Sequence, residues 1–197
     1  DTGKIMSRYD CRIEPDDTVG EVHDKLMELG ATLVVNTVEA LIENNVEFRV
    51  QKSFIQGSEI LRPAPKLTRE LCHIDWRGKT KDIYNLIRGL SPYPAAFTEL
   101  SKDGKSIQMK IYRTVKVEGD EYNAMLMQND MTSAVPGTIL SDGKNYLAFT
   151  TDDGAISVTE LQISGKKRMH VKDFLIGFRD PRSYTVTAGT SSSVTRK

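Results

Sequence analysis

The chain has 197 residues, 39% hydrophobic and 27% charged, with 27 Lys and Arg against 27 Asp and Glu. This is the composition of an ordinary globular protein, with room for one domain or two small ones. No stretch approaches the ~20 consecutive apolar residues of a membrane-spanning helix, which excludes that class.

The zero net charge hides an asymmetry. Residues 1–64 hold 7 Lys and Arg against 12 Asp and Glu, and residues 65–197 reverse this with 20 against 15. Two units with different partners are expected, the second able to face a polyanion. Cys11 and Cys72 lie far apart and outside CxxC or CxxH spacing. They are expected to be reduced thiols of a cytoplasmic protein.

The chain opens on "DTGKI", a short turn that carries Asp1 and has no initiator Met. In "DDTVGEVHDKLMELG", Thr18 and Glu21 have the spacing of a capping box. Val22, Leu26 and Leu29 then recur at helical spacing, and Gly30 is expected to close this helix. A second helix is expected in "ATLVVNTVEALIEN", with a stripe of Val34, Val38 and Leu41 widened by Leu33, Val35 and Ile42. That stripe needs a large partner surface, which residues 1–44 cannot supply alone. Left uncovered, the helix pair is a dimerisation risk. Residues 45–66 lose the helical period, and Pro63 and Pro65 favour extended backbone, so a linker is expected there.

A short helix is expected from Thr68. Beyond "HIDW", Ile83, Leu86, Ile87 and Leu90 define an amphipathic helix, with Thr80 as its cap and Gly89 with "SPYP" as its stop. From Ala95 the pattern becomes strands: "AAFTEL", then "SIQMKIYRTVKV" with a slip near Tyr112, "YNAMLM", "GTILS", "NYLAFTT" and "AISVTELQI". "KDGK", "SDGK" and "DDGA" supply the turns. Short strands at this spacing predict a small antiparallel barrel. "HVKDFLIGF" reads as a closing helix, and 185–197 as a disordered polar tail.

Chemistry is sparse in the composition. His23, His73 and His170 have no metal-ligand spacing, so no metal is expected; there is no P-loop and no GxGxxG. Asp152 and Asp153 beside Gly154 read as a turn, not as paired catalytic carboxylates. Lys166, Lys167 and Arg168 in "GKKRMH" form either a solvated hairpin tip or a phosphate-binding cluster. Lys110, Arg113 and Lys116 alternate imperfectly along one strand and extend that cluster or simply face solvent. Trp76 and Tyr93 are expected as core anchors, with base stacking as the competing role.

Several stretches in order, "DTGKI", "DDTVGEVHDKLMELG", "KLTRELCHIDW", "KDIYNLIRGLSPYPAAFT" and "SGKKRMHVKDFLIG", resemble bacterial methionyl-tRNA formyltransferases over roughly residues 1–180. "IDW", "NLIRGL" and "PxPxA" are also similar to the hydrolase domain of formyltetrahydrofolate dehydrogenase and to the aminoarabinose-lipid formyltransferase. The resemblance implies an α+β chain. Residues 1–44 would be the two-helix remnant of a Rossmann-like formyltransferase domain, 45–66 a linker, and 67–184 a small OB-like barrel that binds tRNA.

It also implies a reaction: transfer of formyl from 10-formyltetrahydrofolate to the α-amine of initiator methionyl-tRNA. In the family an Asn and a His of an N-x-H motif supply oxyanion donors, and an Asp at a DTG turn orients the His and manages protons. Asp1 matches that Asp, whereas no N-x-H occurs in this sequence. The chain by itself is therefore expected to be inactive, a remainder of a longer enzyme with most of its folate site elsewhere. Candidate tRNA contacts, chosen by charge and position, are Lys66, Lys79, Arg88, Lys110, Lys116, Lys166, Lys167 and Arg168, with Arg88 also able to pair internally with Asp75 or Asp82. Two other functions fit the residues. One is a non-catalytic nucleic-acid-binding barrel; the other is a related formyltransferase or hydrolase acting on a sugar nucleotide or formyl-folate.

Overall fold

The computed structural model describes residues 3–55, 57 and 63–186. Asp1 and the tail from 187 to 197 lie outside the described residues. The chain divides into two compact units, Asp1–Lys66 and Leu67–Lys197. No helix among the described residues is long and apolar enough to cross a membrane.

The first unit is built on one helix, α1 (Val19–Ile42). The expected pair is a single continuous helix, with Gly30 in its interior. A mid-helix Gly costs about 1 kcal/mol relative to Ala, too little to end a helix when Ala31 and Leu33 follow and no Pro or turn residue intervenes. Thr18 caps it as expected, accepting from the Glu21 N–H while the Glu21 carboxylate accepts from Thr18 N–H at 2.7 Å. Asp17 accepts from Lys25 Nζ at 2.6 Å, and this bond holds its carboxyl below the usual range.

The segment ahead of α1 pairs with the expected linker through an antiparallel bridge between Ile5 and Arg49. A 3₁₀ turn follows at Gln51–Phe54. Ser7 and Thr37 share a hydroxyl hydrogen bond at 3.0 Å. No residue of α1 is buried: Val34 is 63% exposed and Val38 49%. With Ile5, Met6 and Leu41 they line an apolar cleft of about 370 Å³. The broad stripe read from the sequence thus stands uncovered.

The second unit begins with α2 (Arg69–Cys72), capped by Thr68, and α3 (Thr80–Leu90), which buries Ile83, Tyr84, Ile87 and Leu90. Strands β1 (Ala96–Lys102) and β2 (Lys105–Val117) form a hairpin, with Asp103 and Gly104 both at positive φ in the turn. That pair of left-handed residues matches the right-handed twist of the strands. Then come α4 (Gly119–Gln128), β3 (Ile139–Ser141), β4 (Leu147–Thr150), β5 (Ala155–Ile163), β6 (Met169–His170), α5 (Val171–Gly177) and β7 (Thr185–Val186).

The sheet is antiparallel in the order β3-β4-β5-β2-β1-β7, with β6 on β5. It curls into a nearly closed barrel whose edges approach where a Cβ on Gly137 would lie 3.8 Å from Val186 Cβ. The slip expected near Tyr112 is present as register shifts between Ile111 and Thr114.

Three local expectations are corrected. "YNAMLM" is helix α4, not a strand. Asp120 and Glu121 favour its positive N-terminal end, Ala124 to Met127 are good helix formers, and Tyr122, Met125 and Leu126 meet a satellite core at helical spacing. Thr80 is the first helical residue, not the cap, while α3 ends at Leu90 with Ser91 of "SPYP" as its C-cap. Thr185–Val186, assigned to the disordered tail, pair with Ser101 and Leu100 at the edge of β1.

The core fills the barrel with Ile74, Leu100, Met109, Ile111, Leu147, Phe149, Ile156 and Leu161, all fully buried. Trp76 stacks on Phe149 at 4.5 Å, and its indole N–H donates to Thr98 Oγ1 at 3.0 Å. The β3–β4 turn is organised by Asp142. Burial opposes ionisation of this carboxyl, but bonds from the N–H groups of Asn145, Lys144 and Tyr146 and the Asn145 amide outweigh it, lowering its pKa to about 2. A carboxylate with a folded pKa below its unfolded one stabilises above the unfolded value, and that stability is lost as pH falls through the folded value. Asp142→Asn is therefore expected to flatten the acid limb of stability between about pH 4 and 2, read by urea midpoints at stepped pH. An unchanged limb would mean the turn bonds do not discriminate the ionised form.

Candidate functional site

Cross-strand register assembles a polar row. Lys110 on β2 pairs with Phe97 on β1 and with Gln162 on β5. Side chains alternate along a strand, and Thr98, Met109, Ile111 and Leu161 take the buried face. Phe97, Lys110 and Gln162 therefore stand side by side on the outer face of three strands. The row is extended at both ends by a cation over an aromatic ring. The Arg69 guanidinium lies 5.5 Å from the Phe97 centroid, and that of Arg168 lies 4.5 Å from Tyr112.

Gln162 is fully oriented: its Oε1 accepts from Tyr112 OH at 2.6 Å and its amide donates to the Lys166 carbonyl at 2.7 Å. Burial pushes the Tyr112 phenol up, against the pull of Arg168, so it stays a neutral donor. Gln108, Lys110, Gln162, Ser164 and Gly165 line a cleft of about 210 Å³. The ammonium of Lys110 reaches the Pro94 carbonyl at 3.4 Å. Among the described residues this one weak acceptor leaves most of its three N–H groups for an incoming anion. Beneath this face, burial pushes the Cys72 thiol up, with Lys110 opposing, which makes it a poor nucleophile.

The eight candidate cations do not form one patch. Lys110 and Arg168 belong to the outer row, and the exposed Lys166 and Lys167 occupy the turn after β5 at its cleft end. Arg168 is ion-paired with Glu160, which also faces His170 at 4.0 Å. Lys79 and Lys116 instead gather at the start of α3. Lys79 bonds Asp152 at 3.3 Å and pairs with Asp153 at 3.6 Å, and Lys116 stands over the Tyr84 ring at 5.2 Å. Arg88 donates to Asn85 at 2.8 Å on its own helix, and Asp75 binds Arg77 at 2.7 Å. Lys66 is exposed and belongs to the first unit.

Asp152 and Asp153 do occupy a turn, with a structural task. Asp153 accepts from Thr80 N–H at 2.8 Å and Thr80 Oγ1 at 2.9 Å, which satisfies the start of α3 from a distant hairpin. These bonds lower the Asp153 pKa.

Tyr93 contradicts its expectation as a core anchor: it is 82% exposed, while Trp76 is buried. Sequence reasoning also missed Arg69, Tyr112, Gln108 and Gln162. The glutamines carry no charge to attract notice, and only their alternation against buried residues in "SIQMKI" and "ELQI" could have found them.

The model of the formyl transferase C-terminal domain matches residues 66–179. The chain belongs to this family. Similar proteins include the methionyl-tRNA formyltransferases of Parabacteroides distasonis, 43% identical over 94% of this chain and 54% of that protein, and of Phocaeicola vulgatus, 46% identical over 91% and 52%. That of Halalkalibacterium halodurans is 39% identical over 90% of this chain and 50% of that protein. The chain thus spans about half the length of the curated relatives it matches. A multiply substituted HypX from Aquifex aeolicus shares the fold with TM-score 0.59 and 17% identity, over 91% of this chain and 29% of that one. Within the formyl transferase C-terminal domain, the outer row lies wholly inside the matched residues, from Arg69 to Arg168.

Proposed function

We propose that this chain is part of a methionyl-tRNA formyltransferase of the cytoplasm and that its second unit, an OB-like barrel, binds initiator methionyl-tRNA. The observation that carries this reading is the row of Arg69, Lys110, Gln162 and Arg168 across three adjacent strands, in a chain similar to methionyl-tRNA formyltransferases. Cations and an amide on an outer sheet face suit a phosphate backbone: the charges release counterions and the oriented Gln162 amide fixes register.

In this reading residues 1–44 are the closing portion of a Rossmann-like formyltransferase domain and 45–66 lead into the barrel. The uncovered stripe of Val34, Val38 and Leu41 supports it, since such a domain would bring strands to cover that face. Asp1 would be the catalytic carboxylate, and it lies outside the described residues. The formyl donor would be 10-formyltetrahydrofolate. The barrel's contribution in this reading is RNA binding alone. Formyl transfer by the isolated 197-residue chain is not expected.

Filter binding of initiator methionyl-tRNA and bulk tRNA to the chain tests the reading. Affinity should fall steeply with salt, and initiator tRNA should bind more tightly. Lys110→Ala and Lys167→Ala should each reduce the slope of log K against log salt by about 1. Lys79→Ala should change it less, because Asp152 and Asp153 already screen that ammonium. Salt-independent binding, or equal affinity for any RNA, would overturn the assignment.

A further inference from the structure

We propose that Tyr93 and Lys110 form a subsite for one unpaired nucleotide of the bound RNA, with the base on the Tyr93 ring and its phosphate at the Lys110 ammonium. This rests on the tRNA-binding reading above and goes further, because it names a residue and a ligand class at one point of the row.

Tyr93 is 82% exposed, the most exposed aromatic of the second unit, whereas Trp76, Phe97 and Phe149 are buried. An aromatic ring left in water gives up the burial that usually stabilises it. Here the loop gives it no freedom to fold inward. Pro92 and Pro94 flank it and fix their own φ angles. The loop is pinned at its far end, where the Ala95 N–H donates to the Leu90 carbonyl at 2.9 Å and Ala95 takes a φ of 72°. The ring is therefore displayed by a stiff support, which lowers the ordering cost of stacking on it.

The second observation is what stands next to that support. Lys110 Nζ donates to the carbonyl of Pro94, the residue immediately after Tyr93, at 3.4 Å. The same ammonium lines the cleft with Gln108, Gln162, Ser164 and Gly165. A cation with donors to spare lines a cleft with two amide side chains and bonds the backbone of the residue next to the exposed Tyr93. This is the combination single-stranded nucleic acid uses: backbone to charge, base to ring. A duplex cannot use it, since its bases are already stacked on each other. The favoured ligand is an unpaired residue at a loop or end of the RNA.

The test uses the full chain and two probes, an initiator tRNA transcript and a single-stranded oligoadenylate of about six nucleotides. Tyr93→Ala should weaken both by about 5- to 100-fold without altering the salt slope, and Tyr93→Phe should restore binding. Lys110→Ala should weaken both and reduce the slope by about 1. Tyr93→Trp adds an exposed indole to a chain whose one Trp is buried, so its emission should be quenched by oligoadenylate and not by a duplex of the same length. If the wild-type chain binds tRNA with the expected salt dependence but Tyr93→Ala binds equally well, this inference fails alone. If neither the wild-type chain nor Lys110→Ala responds to salt, the RNA-binding reading fails with it.

Discussion

Phe149→Ala is expected to cost about 3–5 kcal/mol, the largest loss from any single truncation in the barrel. Phe149 has no exposed surface, pairs with Ile139 on one side and Ile156 on the other, and lies flat on Trp76 at 4.5 Å. Its removal takes away the transferred apolar area and the aromatic pair, and leaves a cavity between β4 and α3's loop that rigid strands cannot close. Phe149→Leu should lose far less, roughly 1–2 kcal/mol, because most of the volume stays. Urea unfolding followed at Trp76 reads both variants, since the indole shares that core. A loss below about 1 kcal/mol for the alanine variant would mean the core is not packed around this ring.

Gly154→Ala should cost about 2–3 kcal/mol, although it adds a single methyl group. Its Cβ would lie 2.6 Å from the Val117 carbonyl oxygen and 2.9 Å from Thr80 Oγ1. Neither can retreat: Val117 ends β2 in register with Ala155, and Thr80 Oγ1 is held by Thr151 at 2.6 Å and by Asp153 at 2.9 Å. The methyl must break the hairpin's grip on α3 or bend β2. Gly89→Ala is the contrast, because nothing lies within 4 Å of its Cβ. It sits inside α3 and should stabilise by up to about 1 kcal/mol. Thermal unfolding of the pair should move in opposite directions; a neutral Gly154→Ala would refute the close approach.

How far the sequence spoke depended on whether the deciding force was local. The helix at Ile83, Leu86, Ile87 and Leu90 was legible because its apolar period and its burial agree. The hairpin at Asp103 and Gly104 was legible because backbone sterics alone demand such residues there. "YNAMLM" was misread because its apolar residues fit either period over so short a run, and only the satellite core around Leu140 and Ala148 selects the helix. Gly30 was misread as a stop because a lone glycine weakens a helix without ending it.

The site was less legible than the fold. Charge alone offers Lys79, Lys110 and Arg168 as equivalent candidates, and it cannot know that Lys79 is occupied by two aspartates 73 and 74 residues away in sequence, Asp152 and Asp153. Nor could composition distinguish Trp76 from Tyr93, because Trp76 is drawn inward ahead of α3 by distant partners, Phe149 and Thr98, whereas Tyr93 sits after α3 in a loop shaped by Pro92, Pro94 and Ala95.

The short strand β7 has a practical consequence. Its two residue pairs cover part of the outer edge of β1, whose N–H and C=O groups would otherwise face solvent as a bare ladder. A chain trimmed ahead of Thr185 would keep every residue of the outer row yet expose that edge to strands of its neighbours. Solubility, not affinity, would be the first property lost.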